Sequence, residues 1–229
     1  MTGFSARPLI PGHWEYLSMD EAMDLVRLYS GSGEDAAGER DYDFRSIRAL
    51  PVPCLKDSLL IEIEAFVTPA ARTGLMNVLF TPMGFALLTG NSNALHRLTP
   101  IRLLDTPAQA LSFITLFCNA VHGDEGRFQT IHALDELQFR DDAVPSAEIE
   151  SAILQGLTVS RSDTDDGWAA AGTVLYGDAL FRTKFTLPLQ GTLEMDDDEP
   201  VAEKLPIRRE RWHRQFRLPP DDDSAGERP

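Results

Sequence analysis

One stretch of the sequence carries residue types that could perform nucleophilic chemistry. Cys118 and His122 are four residues apart, so a helix would place both side chains on one face, and Asp124 follows closely. A histidine beside a thiol favours the thiolate, which is the nucleophilic form of cysteine. A structural cysteine in the core and a histidine at a helix C-terminus explain the same spacing without catalysis. We therefore predict no catalytic residue and favour a protein that is not an enzyme.

The polar segment from His122 to Phe128 is the best local candidate for a functional loop, because it contains two glycines and follows an apolar helix. One interpretation is a cone-shaped pocket, ligand-binding or enzymatic, in which His122 or Asp124 supplies the polar group. The apolar lining would then consist of Phe113, Phe117, Trp168 and Phe185. The other interpretation is a plain connection between a helix and a strand.

A basic and aromatic segment near the C-terminus is the most distinctive stretch of the chain. Six basic residues and one acidic residue lie between Lys204 and Arg217. Guanidinium groups interleaved with aromatic rings suit an acidic protein groove or a single-stranded nucleic acid. The same segment could lie back on the acidic surface of its own domain. As partner-binding residues we predict Arg208, Arg209, Arg211, Trp212, Arg214 and Phe216.

Two acidic clusters and the histidines bear on metal binding. Asp163, Asp165 and Asp166 are oxygen donors of the kind calcium prefers, but the EF-hand spacing would place Thr173 where a glutamate is needed, so a hairpin turn is favoured. The run 196–199 could bind a cation, meet a basic partner or be a solvated strand end. No metal-ligand spacing connects the histidines, and we predict neither a metal nor a cofactor. The histidines are His13, His96, His122, His132 and His213.

The charge of the chain restricts its partners. Its 36 acidic and 21 basic residues give a net charge of −15, which opposes binding to a phosphate backbone and argues against a nucleic-acid partner. Between Gly123 and Glu199 there are 17 acidic and five basic residues, so the acidic surface is concentrated there. We expect a protein partner or a homo-oligomer.

The cysteines and the N-terminal sequence suggest a compartment. Only Cys54 and Cys118 are present, too few for a disulfide scaffold or a cysteine-built zinc site. The stretch from Met1 to Leu17 lacks the apolar region of a secretory signal, and no stretch is convincingly membrane-spanning. We expect a cytoplasmic protein that does not enter a membrane.

The elements that would position these residues follow from the hydrophobic pattern. The strongest helix runs from Thr106 to Gly123 without a charged residue, with Thr106 as N-cap and Gly123 as C-terminal cap. So apolar a helix should be covered on more than one side. The alternation in Leu59–Phe66 predicts a half-exposed strand with Ile61 and Ile63 inward and the glutamates outward.

Further elements complete the pattern. Ser18 and Glu21 predict a capping box for a short helix that ends near Tyr29, and Ser30–Asp41 has linker composition. A hairpin is expected around Thr81–Gly84, and a second helix over Ser146–Leu154. Period-two stretches predict an antiparallel meander. These stretches are Leu157–Arg161, Trp168–Tyr176, Ala179–Leu187 and Thr192–Met195.

The order of these elements predicts an α+β fold in which a mainly antiparallel, curved sheet packs around one long uncharged helix. In architecture alone, this arrangement resembles the cystatin-like and NTF2-like group of folds. We predict an N-terminal helix and linker over residues 1–43, one α+β domain over 44–199, and a basic-aromatic segment with a disordered acidic end over 200–229.

Two functions are compatible with this sequence. The first is a non-catalytic, intracellular protein-binding module, such as an accessory subunit, an inhibitor or an immunity-type protein, which uses its acidic surface, apolar helix and basic segment. The second is a pocket for a small molecule, ligand-binding or enzymatic, at Phe117, His122, Asp124 and Trp168. We favour the first, because segments suited to interaction are plain whereas catalytic motifs are missing from the sequence.

Overall fold

The computed structural model describes residues 4, 6–18, 20, 21, 24, 42–140, 143, 145–163 and 166–220. In this part of the chain antiparallel sheets dominate and helices are few, which confirms the α+β class. The chain forms two compact units. The first comprises Met1–Val52, Lys56–Thr89 and Arg211–Pro219, and the second comprises Pro53–Leu55, Gly90–Glu210 and Pro220–Pro229. The predicted boundaries at residues 43 and 199 stay a prediction, because compactness does not test which part folds alone.

The first unit is built from β-strands. They are β1 Glu15–Tyr16, β2 Tyr42–Pro51, β3 Leu59–Val67, β4 Arg72–Thr81, β5 Gly84–Leu87, β13 Arg211–His213 and β14 Phe216–Leu218. In the described residues they form one seven-stranded antiparallel sheet, in the order β1–β2–β3–β4–β14–β13 with β5 also paired to β4. One face of this sheet carries an apolar cluster that includes Ile47, Ile61, Ile63 and Phe216.

The second unit combines strands and helices. Its strands are β6 His122–Gly123, β7 Gly126–Arg127, β8 Gln129–Thr130, β9 Thr158–Arg161, β10 Gly167–Tyr176, β11 Ala179–Pro188 and β12 Glu194–Ala202. Its helices are α1 Asn93–His96, α2 Pro107–Ala120 and α3 Ala147–Leu154. Within the described ranges, β12, β11, β10 and β8 lie side by side in that order, β9 also pairs with β10, and β6 pairs with β7.

The short helix predicted near the start of the chain lies only partly within the described residues. The capping box is confirmed, because the Glu21 amide donates a hydrogen bond to the Ser18 hydroxyl at 3.4 Å and the Glu21 carboxylate accepts one from the Ser18 amide at 2.8 Å. The carboxylate also accepts a hydrogen bond from the Ser18 hydroxyl at 2.7 Å. These bonds lower the pKa of Glu21. Most of the helix predicted to follow and the linker over Ser30–Asp41 lie outside the described residues. So do residues 221–229 of the end that was predicted to be disordered from Pro219.

The predicted strand over Leu59–Phe66 is confirmed as β3, but its predicted half-exposure is wrong. Glu62 is completely buried and Glu64 is also buried, on the face opposite Ile61 and Ile63. Alternation normally places carboxylates in water, yet here Glu62 forms ion pairs with Arg48 and Arg217. Both faces of β3 are therefore buried, and the face that holds Glu62 and Glu64 also carries the buried Leu60.

Helix α2 begins as predicted and ends earlier. The Thr106 hydroxyl accepts a hydrogen bond from the Gln109 amide, and the Gln109 side chain closes a capping box. The last helical residue is Ala120, so the prediction of Gly123 as the C-terminal cap is wrong. Val121 is already extended and forms a parallel bridge with Gly90, which draws the chain out of the helix. No residue between 110 and 120 is exposed.

The remaining elements largely match their patterns. The hairpin is confirmed by the pairing of Thr81 with Gly84, and the helix predicted over Ser146–Leu154 is α3, with the Ser146 hydroxyl as its N-cap. Strands β9 to β11 fall where the period-two stretches predict them, whereas β12 continues to Ala202, well beyond Met195. Strands β2, β13 and β14 were not predicted, because their sequences mix arginine and aromatic residues without alternation.

Candidate docking site

The thiol that the sequence suggested as a nucleophile is buried. Cys118 lies on α2 in the core of the second unit, and burial raises the pKa of its thiol to about 12. The thiol is therefore protonated at neutral pH, and the protonated form is a poor nucleophile. This burial agrees with the structural interpretation of the cysteine.

His122 packs against the backbone of Gly90. Its amide donates a hydrogen bond to the Gly90 carbonyl at 3.1 Å, and a Cβ atom added to Gly90 would lie 1.8 Å from the His122 ring. Gly90 also has a φ of +87°, which glycine adopts without strain. His122 thus has a packing role, while Asp124, two residues later, is exposed in the turn between β6 and β7.

The other predicted pocket residues divide into two groups. Trp168 is 3% exposed, donates a hydrogen bond from its Nε1 to the Leu104 carbonyl at 2.9 Å, and has the Arg161 guanidinium 4.1 Å from its ring centroid. Phe113 is likewise buried. Phe117 is half-buried and, unlike those two residues, lines a cavity together with Phe185.

This cavity is an apolar groove of about 230 Å³ in the second unit. Helix α2 and the residue after it supply one wall, β11 supplies Phe185, and the start of β12 supplies Met195, which is 42% exposed. We call it the apolar groove. It is lined by Phe117, Cys118, Val121, Phe128, Phe185, Leu193 and Met195.

An acidic edge strand begins at the groove. Met195 lies within β12, which stands at the end of its sheet and, in the described residues, pairs with β11 alone. We define the acidic edge as the carboxylates of this strand, namely Glu194, Asp196, Asp197, Asp198 and Glu199. Two cations of β11 reach it: Lys184 Nζ lies 3.0 Å from Asp197, and Arg182 lies 3.9 Å from Glu199. Five carboxylates against two cations leave the edge negative.

Arg102 holds the loop that leads into this edge. Its guanidinium donates hydrogen bonds to the carbonyls of Pro188 at 2.9 Å, Leu189 at 2.8 Å and Gly191 at 3.1 Å. It also lies over the Phe113 ring, with 4.9 Å to the centroid, and burial lowers its pKa. Sequence analysis missed this residue, because its partners are more than eighty positions away.

The start of the predicted partner-binding segment folds back on its own unit. Arg209 pairs with Asp178 at 2.5 Å and with Glu125 at 3.2 Å. Glu210 pairs with Arg127 at 3.0 Å, and the Arg208 amide donates to the Gln138 carbonyl. These contacts agree with the alternative in which the segment lies on acidic residues of its own domain.

The rest of that segment forms the hairpin β13–β14 of the first unit. Trp212 is opposite Arg217 in the pairing, and Arg214 occupies the turn with a φ of +53°. Arg211, on β13, is exposed. Phe216 pairs with Met76 of β4 and is buried in the apolar cluster, so it contributes to the core. Partner binding by these residues stays a prediction.

The described residues also bear on metal binding and on membrane crossing. In the described part of the chain, no group of three or more histidine, cysteine, aspartate or glutamate residues is placed to hold a metal ion. Asp166 lies at the turn between β9 and β10, whose neighbours Asp165 and Thr164 are outside the described residues. Among the described helices, none has the length and apolar character needed to cross a bilayer.

Comparisons with known proteins give no relative. No protein family matches the sequence, and neither a curated protein nor a solved structure is similar to the chain. The function must therefore be inferred from the chemistry of the site itself.

Proposed function

We propose that the protein is a non-catalytic protein-binding module that docks a basic segment of a partner at the apolar groove and the acidic edge. The observation that carries this proposal is the position of the groove directly beside the acidic edge: the half-exposed Met195 lines the groove, and its neighbours in β12 are Glu194 and Asp196. An apolar side chain of the partner enters the groove, while its lysine or arginine neighbours meet the carboxylates of β12.

The groove lining favours docking over catalysis. Its residues are aliphatic, aromatic or sulfur-containing, and the only titratable group among them is the Cys118 thiol. Because the pKa of that thiol is raised to about 12, it supplies neither a base nor a nucleophile at neutral pH. Apolar contact area is what such a surface offers a ligand.

The acidic edge favours a basic partner. A net charge of −15 and the run of carboxylates from Asp196 to Glu199 attract cationic segments over several ångströms and repel phosphate groups and acidic proteins. Such attraction raises the association rate and is screened by salt. A second copy of the same strand is repelled for the same reason, so we propose a partner of different sequence at this edge.

Recognition proceeds through side chains, because β12 is a poor template for strand addition. The strand has register shifts opposite Leu180/Phe181 and opposite Lys184/Phe185, and it contains Pro200, which lacks an amide hydrogen. Bulges, prolines and charges are the features by which proteins protect sheet edges from pairing. A basic segment therefore has no need to adopt a strand here.

The predicted curvature belongs to this proposal as well. Helix α2 contacts β8, β9 and β10, and its apolar residues from 110 to 120 are covered. We propose that this sheet curves around the uncharged helix. The groove then lies where the sheet leaves part of the helix uncovered. The free, buried cysteines Cys54 and Cys118 support a reducing, cytoplasmic location.

A small apolar ligand is the second candidate occupant. The groove volume of about 230 Å³ suits a ligand smaller than a typical drug molecule, and its lining offers apolar contacts. His122 and Asp124 were predicted as the polar groups of such a pocket. They are not among the lining residues in this structure, so this candidate rests on the apolar lining alone.

Fluorescence anisotropy with a defined probe tests the proposal. The probe is a short, labelled peptide of lysine and glycine with one central phenylalanine, and its control replaces lysine by glutamate. We expect the lysine probe to bind, and Met195→Glu to weaken it by about tenfold or more, because a carboxylate in the apolar groove is costly and adds repulsion.

Leu154→Glu is the matched control variant, since Leu154 is 85% exposed at the end of α3 and does not line the groove. It should leave the affinity unchanged. Equal binding of both peptides, or equal effects of the two variants, would contradict the proposal. A neutral apolar dye that binds in a salt-independent way while the lysine probe does not bind would favour the small-ligand candidate.

A further inference from the structure

The side chains of strand β11 alternate between the two faces of its sheet. Thr183 and Phe185 are buried on one face. Arg182 and Lys184 are exposed on the other. Phe185 is paired with Met195 of β12, and both residues line the apolar groove. We therefore call the face of Thr183 and Phe185 the groove face.

Four carboxylates of the acidic edge lie on the opposite face. Asp197 and Glu199 form the ion pairs with the two cations of β11. Glu194 is paired in register with Thr186, which lies on the face of these cations because it is an even number of residues from both. The Thr186 hydroxyl also donates a hydrogen bond to Asp196 at 2.5 Å. These four carboxylates therefore point away from the groove.

The fifth carboxylate of the acidic edge, Asp198, lies on the groove face. It is paired in register with Thr183, which is two residues from Phe185 and hence on the same face. The Asp198 side chain is exposed, and within the described part of the chain its carboxylate forms no ion pair or hydrogen bond. Since two residues of β11 separate the partners of Met195 and Asp198, these two positions are about 6.6–6.8 Å apart along the strand.

A buried hydroxyl lies opposite this carboxylate. Thr183 is 1% exposed, and its Oγ1 has no hydrogen-bond partner among the described residues. Residues directly opposite each other in a sheet have Cβ atoms about 4.5–5.5 Å apart, so Thr183 and Asp198 present their oxygens to the same place. A buried hydroxyl without a partner destabilises the free protein and calls for a group that satisfies it.

We infer that Asp198 and Thr183 form a cation subsite, which binds a lysine two residues from the side chain that enters the apolar groove. This inference rests on the proposed function, because the groove holds the apolar anchor of the partner. A lysine ammonium has three donors and no acceptor, so it can donate to the Asp198 carboxylate and to the Thr183 hydroxyl oxygen together. Its apolar stem passes along the groove face.

The spacing of the two subsites defines the partner segment. In an extended peptide, side chains two residues apart lie on the same side and are separated by about 6.6–6.8 Å. The groove and Asp198 have the same separation. The fitting segment is therefore extended, with an apolar residue and a lysine separated by one residue, and it contacts the groove face without pairing to β12.

Binding of a short peptide to the full-length chain tests the carboxylate. The probe is a labelled peptide in which a phenylalanine is flanked on each side by glycine and then lysine, so that both chain directions place a lysine at the subsite. We expect Asp198→Asn to weaken binding about fivefold at low salt. Asp197→Asn is the matched control, because it removes the same charge from the opposite face, and it should weaken binding less than about twofold. Equal losses in the two variants overturn the assignment of Asp198.

The substitution Thr183→Val tests the hydroxyl. It keeps the shape and removes an unpartnered buried group, so the melting temperature of the free protein should rise while the probe binds about threefold more weakly. Thr186→Val is the control, since the Thr186 hydroxyl is bonded to Asp196 on the opposite face, and it should leave the affinity unchanged. A lower melting temperature or an unchanged affinity in Thr183→Val overturns the role of the hydroxyl.

Met195→Glu separates this inference from the proposed function. If the native chain binds the probe and Met195→Glu weakens it, equal losses in Asp198→Asn and Asp197→Asn overturn the cation subsite and leave the docking site standing. A native chain that binds no probe overturns both.

Discussion

At the scale of single residues, the buried charge of Glu62 is the one on which the stability of the first unit depends most. A carboxylate with no solvent exposure is held by Arg48 and Arg217, so these three groups stabilise the first unit only as a set. Removing the Glu62 charge takes away the carboxylate that both guanidinium groups share. The sequence could not reveal this, because Arg217 lies 155 positions from Glu62 and the local alternation of β3 predicts a solvated glutamate.

The substitution Glu62→Gln measures how much this buried carboxylate contributes to the free energy of unfolding. It preserves the shape but leaves two buried guanidinium groups against a neutral amide, and we expect the free energy of unfolding to fall by about 3–5 kcal/mol in urea denaturation. Glu199→Gln is the control, because the Glu199 side chain is 75% exposed and its pair with Arg182 is worth at most about 1 kcal/mol. Similar losses in the two variants would show that the buried set is not a unit.

The two thiols give a prediction for alkaline pH. Burial raises the pKa of Cys54 and Cys118 to about 12 from 9.0, so above pH 9 the unfolded chain releases protons that the folded chain retains. The free energy of unfolding should therefore fall as the pH rises from 9 towards 12. Cys118→Ala should reduce this fall, and a pH dependence identical to that of the native protein would contradict the assignment.

At the scale of elements, local signals account for most of the second unit and for part of the first. The Thr106 cap and the Thr81–Gly84 hairpin depend on neighbouring residues, and sequence reasoning found them. The hairpin β13–β14 depends on pairing with β4, so its arginines suggested a partner-binding tail. Of the predicted pocket, only Phe117 and Phe185 line the groove, because side-chain burial is set by distant packing.

The contact between Gly90 and His122 gives a prediction for the end of α2. Gly90→Ala combines a left-handed backbone with a clash against the His122 ring, and we expect the free energy of unfolding to fall by about 2–5 kcal/mol. Gly126→Ala is matched, since its φ is also positive but no atom lies within 4 Å of the added Cβ. It should cost only about 1–2 kcal/mol. Equal melting temperatures for the two variants would exclude the proposed packing role of His122.

At the scale of the whole molecule, the charge of the acidic residues is neutralised unevenly by the arginines. Several of them neutralise carboxylates inside their own unit, as Arg127 does for Glu210 and Arg209 does for Asp178. The carboxylates of the acidic edge of β12 outnumber the cations that pair with them, and this edge lies beside an apolar groove. This combination is the basis of the proposed docking of a basic segment.

Nuclear magnetic resonance titration of the isotope-labelled chain with the lysine probe tests that docking most directly. We predict shifts confined to the end of α2, Phe128 and residues 193–199, with an affinity that falls as the salt concentration rises. Shifts that spare the groove and the acidic edge, or an affinity independent of salt, would contradict the account.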